Sequence, residues 1–158
     1  MEFSILADAF SKMEATRKRL ELTKYLVELF EKTPQEVISK IVYLLQGKLR
    51  PDFEGVELGV AEKLATRAIA KSSGIPIKKI ESEYRKGGDL GYAASVILEQ
   101  KTQTTFLMED ITVERVYETL FKIAKLEGSR SQDMKMKYIS SLLNDATPIE
   151  ASFILKIL

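Results

Sequence analysis

Cysteine and histidine are both missing from these 158 residues. Without cysteine there is no disulfide framework and no thiolate nucleophile; without histidine the commonest metal ligand and general base are gone. Most familiar catalytic constellations are thereby excluded from this chain, and no catalytic or metal-binding residue is expected in it. An excess of charge of one sign is lacking too. Lys and Arg number 24 against 23 Asp and Glu, a formal net charge of +1, so no bulk field draws the chain to nucleic acid or membrane. Such binding must come from local clusters of basic groups. No apolar run approaches membrane-spanning length, and the opening MEFSILADAFSKMEA has early acids and no long apolar core, unlike a signal peptide. The expectation is an intracellular, cytoplasmic protein.

What is present is ordinary globular material, 45% hydrophobic and 30% charged, enough for one domain with a genuine core. Apolar residues recur at three and four, not at two. Phe3, Leu6, Ala7 and Phe10 form one stripe; Leu22, Tyr25, Leu26, Leu29 and Phe30 a second; Val37, Ile41, Leu44 and Leu45 a third. Val60, Leu64, Ala68 and Ile69 continue the pattern, as do Val116, Leu120, Ile123 and Ala124, and then Met134, Tyr138, Ile139, Leu142 and Leu143. Breaks fall at 47–59, 72–76, 86–91, 101–110 and 127–131, and no alternating strand run separates them. An all-α domain of about eight or nine helices follows.

The chain also repeats itself. KYLVELFEKTPQE starts at Lys24 and KYISSLLNDATPIE at Lys137. In both, Thr-Pro-x-Glu reads as a helix start: Thr as N-cap, Pro at the first helical position, Glu closing a capping box. Phe10, Lys12 and Met13 precede the first copy as Phe121, Lys122 and Ile123 precede the second, so each unit runs helix, basic turn, helix, capping box, helix. Two helical units related by a pseudo-twofold axis are expected. Gly47 follows Pro34 by thirteen residues; the same interval from Pro148 ends at position 161, so the chain stops just short of a second glycine-basic turn.

The basic residues gather at these turns. Thr16-Arg17-Lys18-Arg19 opens one helix, Gly47-Lys48-Leu49-Arg50 closes another, and Gly128-Ser129-Arg130-Ser131 with Lys135 and Lys137 opens a third. Helix amino termini and glycine-exposed amides beside hydroxyls and Arg or Lys make good phosphate sites. Solvated helix faces carry the same composition, but the recurrence at equivalent points of a repeat suits a protein gripping two similar backbone segments of a duplex. KGGDLG at 86–91 lacks the ending and the preceding strand of a nucleotide-binding loop. It reads as a turn with Asp89 as the next N-cap, and Gly88 as a further place where backbone could approach DNA.

Together LQGKLRPDFEGVELGVAEKLATRAIA, KGGDLG, VYETLFKIAKLEGSRSQDMKMKYISSLL and ATPIEASFILKIL resemble the N-terminal DNA-binding domain of archaeal and eukaryotic ATP-dependent DNA ligases, the archaeal ones more closely. The resemblance spans essentially residues 1–158. It implies an all-helical, pseudo-twofold domain that grips nicked double-stranded DNA through backbone and minor-groove contacts, in support of nick sealing in replication, repair and recombination. Adenylation and oligonucleotide-binding-fold domains of the same ligase would complete a clamp around the duplex. Arg19 matches a DNA-contacting arginine after the first helix, and the DNA-binding set becomes Arg17, Arg19, Lys48, Arg50, Gly88, Ser129, Arg130, Ser131, Lys135 and Lys137. The family's Lys-x-Asp-Gly nucleophile motif does not occur here, so ATP and Mg2+ belong to the full-length enzyme, and this stretch by itself should not join DNA. Gln103, Phe106 and Leu107 resemble the abbreviated motif with which archaeal ligases dock on the sliding clamp PCNA; packing onto their own domain is the other reading. A helical interaction scaffold that binds a sliding clamp without affinity for DNA is the rival class.

Overall fold

The computed structural model describes residues 1–101 and 108–158. Among these, the chain forms nine α-helices and no strand: α1 (Phe3–Glu14), α2 (Arg19–Glu31), α3 (Ile38–Leu45), α4 (Glu62–Ser73), α5 (Ile77–Gly87), α6 (Leu90–Glu99), α7 (Val113–Ala124), α8 (Ser131–Asp145) and α9 (Pro148–Ile157). Short 3-10 turns precede α3 at Gln35–Val37 and follow it at Asp52–Glu54. The all-α expectation is met.

Periodicity becomes packing most directly in α1 and α7, each 12 residues long. Phe3, Leu6 and Ala7 of α1, and Val113, Val116, Tyr117, Leu120 and Ile123 of α7, are buried on one face, as the 3.6-residue period requires. Their starts are tied to each other. The Phe3 amide donates to the Ile111 carbonyl (2.8 Å) and the Val113 amide to the Met1 carbonyl (2.9 Å), an antiparallel bridge at Glu2 and Thr112. From that bridge the packing is exchanged: α1 lies on α2 and α9, while α7 lies on α8 and α3. The middle helices fill the remaining space, α4 against α8, α5 and α6, and α6 against α5 and α9. Phe153 of α9 stacks on both Phe3 (5.6 Å between ring centroids) and Phe10 (4.1 Å) of α1, and the burial of the Phe3 and Phe153 rings contributes roughly 1.5–3 kcal/mol each.

The two Thr-Pro-x-Glu segments do not behave alike. Thr147 builds the expected capping box: its hydroxyl accepts from the Glu150 amide (3.4 Å), and the Glu150 carboxylate accepts from the Thr147 amide (2.8 Å), with Pro148 opening α9. Thr33 does not cap. It is buried, and its hydroxyl donates back to the Leu29 carbonyl at 2.7 Å; Pro34 is the extended residue before the 3-10 turn. The difference lies one residue earlier. Lys32 stays in the helical region (ψ −6°), so Thr33 remains on the α2 spiral and satisfies one of its terminal carbonyls. Ala146 turns extended (ψ 140°) and releases Thr147 from α8. The second stripe also differs from expectation: only Leu29 of α2 is buried, and Phe30 is exposed.

Candidate nucleic-acid interface

The three basic turns are held in place by different means. After α3 the chain closes with paired reverse bonds, the Gly47 amide to the Leu44 carbonyl (3.0 Å) and the Lys48 amide to the Tyr43 carbonyl (2.9 Å). This closure needs a left-handed residue, and Gly47 supplies φ +67°. Leu49 then plunges into the core at 1% exposure. Its carbonyl accepts a hydrogen bond from the Tyr117 hydroxyl of α7. Burial pushes the Tyr117 phenol up from its ordinary value, against the opposing pull of Arg50.

The turn's cations are not free. Lys48 pairs with Asp52 at 2.7 Å and Arg50 with Glu54 at 3.9 Å, both four residues on. The Arg50 guanidinium also lies over the Phe121 ring (5.3 Å), which carries the Lys125 ammonium at 4.3 Å as well. Phe121 stacks on Tyr117, 6.2 Å between centroids at 12°, and Lys40 of α3 stands 5.6 Å from the Tyr117 ring. A two-ring platform on α7 therefore gathers Lys40, Arg50 and Lys125, one helix end from the Gly128–Ser131 turn. Sequence reading missed Lys40, Lys125 and both rings. The aromatic spacing of four residues on α7 was legible; what it faces was not.

At that second turn Gly128 is left-handed (φ +95°), and its carbonyl accepts from the Ser131 amide at 3.1 Å. Ser129 and Arg130 are exposed and Ser131 half-buried; Arg130 stands as N-cap of α8 with no side-chain cap bond. Lys137 is exposed in the second turn of the helix. Lys135 is turned inward: it is buried, and its ammonium donates to the carbonyls of Leu58 (3.2 Å) and Gly59 (3.1 Å), fastening α8 to the loop before α4. Its charge is committed to backbone.

The remaining cluster sits between α1 and α2. The Thr16 hydroxyl bonds the Glu21 carboxylate and accepts from the Lys18 amide (3.2 Å), and Lys18 pairs with Glu21 at 3.4 Å. Arg17 and Arg19 are exposed. Among the described residues, Arg17, Arg19, Arg130 and Lys137 have no ion-pair partner. Lys156 of α9 reaches this end of α1, paired with Glu14 and 5.8 Å from the Phe10 ring. So α9 sets Phe153 and Lys156 beside the end of α1, whereas the Gly47 turn brings only a cation, Arg50, to the rings of α7.

Gly88 lies apart from these turns in sequence, as the left-handed C-cap of α5 (φ +81°), and Asp89 accepts from the Tyr92 amide at 2.8 Å as N-cap of α6. The turn-and-cap reading of KGGDLG holds. Residues Gln103, Phe106 and Leu107 lie outside the described residues. Among those described, no group of three His, Cys, Asp or Glu is placed to hold a metal ion, and no helix is long and apolar enough to cross a membrane. A cleft of about 670 Å³ runs between Gly47–Arg50, Val56–Ala61 and the last two residues, Ile157 and Leu158.

Comparison with known proteins gives this arrangement a context. The family described as "DNA ligase N terminus" matches residues 2–158. The DNA ligase of Nitrosopumilus maritimus (strain SCM1) is 90% identical over 158 residues, covering all of this chain and 27% of that protein. The DNA ligase of Cenarchaeum symbiosum (strain A) is 69% identical with the same coverage. DNA ligase 2 of Thermofilum pendens (strain DSM 2475 / Hrk 5) is 48% identical over 163 residues, 99% of this chain and 27% of that protein. The chain thus spans about a quarter of the length of these relatives. With a match over nearly every residue and archaeal ligases alike along its full length, the chain belongs to the DNA ligase N-terminal family.

Proposed function

We propose that this chain is the DNA-gripping part of an ATP-dependent archaeal ligase, holding nicked duplex through its phosphate backbone and minor groove while other domains seal the nick. The observation that carries this reading is the placement of exposed cations without ion-pair partners, Arg17 and Arg19 between α1 and α2, and Arg130 and Lys137 at the start of α8. In the register that sets Lys24-Tyr25 on Lys137-Tyr138, Arg17 matches Arg130 while Arg19 matches Gln132, so the two clusters share equivalent turns without matching residue for residue, and phosphate contacts position a duplex without reading its sequence. The exchanged packing of α1 with α9 and α7 with α3 supports a pseudo-twofold relation between the units. Two similar turns facing a duplex would then meet its backbone on either side of a nick.

ATP and Mg2+ would act in an adenylation domain carrying Lys-x-Asp-Gly, a tetrapeptide absent from these 158 residues, and this chain alone would not join ends. Gln103, Phe106 and Leu107 are proposed as the contact for the sliding clamp PCNA. An intracellular, nucleoid-associated protein follows from such a substrate. The test is titration of nicked and intact duplexes of several sequences at rising salt. Each phosphate contact contributes about 0.9 to the log-log salt slope; Arg19→Ala and Arg130→Ala should each lower that slope and weaken all sequences alike. An affinity that ignores salt, or that depends strongly on sequence, would sink the proposal; clamp binding with no DNA affinity would favour the scaffold.

A further inference from the structure

The exposed side of α2 breaks the pattern that the rest of the fold follows. Leu20 (86% exposed), Val27 (50%) and Phe30 (37%) lie at i, i+7 and i+10, with exposed Thr23 at i+3. On a 3.6-residue helix these four form one stripe, opposite the Leu22, Tyr25 and Leu29 side that meets α1. Among the described residues, α1 is the only helix packed extensively on α2.

Its counterpart α8 is not left bare. Matching Lys24-Tyr25 to Lys137-Tyr138 sets Thr23 against Met136, Val27 against Ser140 and Phe30 against Leu143. That stripe of α8 is covered along its second half: Ser140 is buried and its hydroxyl donates to the Ala68 carbonyl of α4 at 3.4 Å, Leu143 is fully buried, and α4 packs along α8, while Asp133, the match of Leu20, is exposed. The helix α4 follows α3 of the first unit and lies on α8 of the second. The reciprocal pair, a helix following α9 and lying on α2, is not completed by the described residues, just as α6 on α9 has no counterpart on α3.

We infer that the stripe Leu20, Thr23, Val27 and Phe30 is the seat of a further helix of the same ligase polypeptide, the second unit's equivalent of α4. This rests on the two-unit ligase reading above. The relatives supply the chain for it, since this chain covers 27% of their length and matches a family described as the ligase N terminus. The occupant's chemistry follows from α4, whose Ala68 carbonyl accepts from Ser140 of α8 and whose buried side also carries Ala65 and Leu64. An amphipathic, alanine-rich helix is the expected guest.

The test compares this chain with the same chain continued by the residues that follow the matched segment in the Nitrosopumilus maritimus ligase. Amide exchange across 19–31 should slow by about tenfold or more in the longer protein, as a buried helix opens less readily. Val27→Lys should shift the melting midpoint of the shorter chain by no more than about 2 °C, and lower that of the longer one by several degrees. Equal α2 exchange in both wild-type lengths overturns the inference even if the variant fails to fold. So does a dimer of the shorter chain that Val27→Lys dissolves, which would make the seat a self-contact. DNA affinity separates the two readings: a longer protein that binds duplex with α2 unprotected loses the seat and keeps the ligase reading. One that protects α2 without binding DNA keeps the seat and loses the grip.

Discussion

Tyr117→Phe tests whether the Gly47–Arg50 turn is held to α7 by one hydroxyl. The substitution removes a single oxygen and keeps the ring, so the stack on Phe121 and the approach of Lys40 persist. What is lost is the donor to the Leu49 carbonyl, at a site where both residues are buried. A typical intramolecular hydrogen bond contributes about 1 kcal/mol, rising toward about 3 kcal/mol if the carbonyl stays dry and unpaired. At roughly 2–4 °C per kcal/mol for a chain of this size, the melting midpoint should fall by between about 2 and 12 °C. Urea unfolding should show a lower midpoint with an unchanged slope. DNA affinity should fall too, with the salt slope retained, because Lys48 and Arg50 remain and only their placement loosens. The pH dependence has a definite sign. The folded phenol is raised by burial, so its contribution is present in full below the ordinary tyrosine value of about 10 and is lost as pH rises through the higher folded value; the gap between wild type and variant should close in that range. A variant with the wild-type urea midpoint at neutral pH would show that the hydroxyl does not tether the turn.

The sequence patterns announce helices well and neighbours poorly. Stripes such as Phe3, Leu6, Ala7 and Phe10 emerge as the packed face of α1 because period alone fixes which residues share a side. On α2 the same logic gives an amphipathic helix, yet burial stops at Leu29, since no periodicity states what covers a face. Thr33 and Thr147 sit in the same four-letter context and do opposite things, decided by the backbone of Lys32 and Ala146. At the candidate interface, the turns and their basic residues were readable, and so was the N-cap role of Asp89. Not readable was the commitment of those charges. Asp52 and Glu54 follow Lys48 and Arg50 by four residues, a spacing that hints at pairing, but Lys135 finds its partners at Leu58 and Gly59, far along the chain, and only the fold brings them there.

Two further predictions follow from those commitments. Thr147→Ala should cost about 1 kcal/mol by opening the capping box of α9, whereas Thr33→Ser, which keeps the hydroxyl that bonds the Leu29 carbonyl, should stay within about 0.5 kcal/mol; chemical denaturation of the two variants side by side distinguishes a cap from a back-bond. Lys135 and Lys137 are two residues apart on α8, and their loss should be felt in different measurements. Lys137→Ala removes an exposed cation, so stability should hold within about 0.5 kcal/mol, while the log-log salt slope for DNA should drop by about 0.9 if that cation meets a phosphate. Lys135→Met fills similar space but leaves two loop carbonyls without their charged donor, where losing hydrogen bonds to a charged group costs about 1.5–3 kcal/mol. The salt slope should not move, because an ammonium buried against Leu58 and Gly59 has no counterion to release when DNA arrives. A Lys135→Met variant that keeps its unfolding midpoint but loses a unit of salt slope would mean that the ammonium leaves those carbonyls for phosphate, and the inward assignment of this lysine would be wrong.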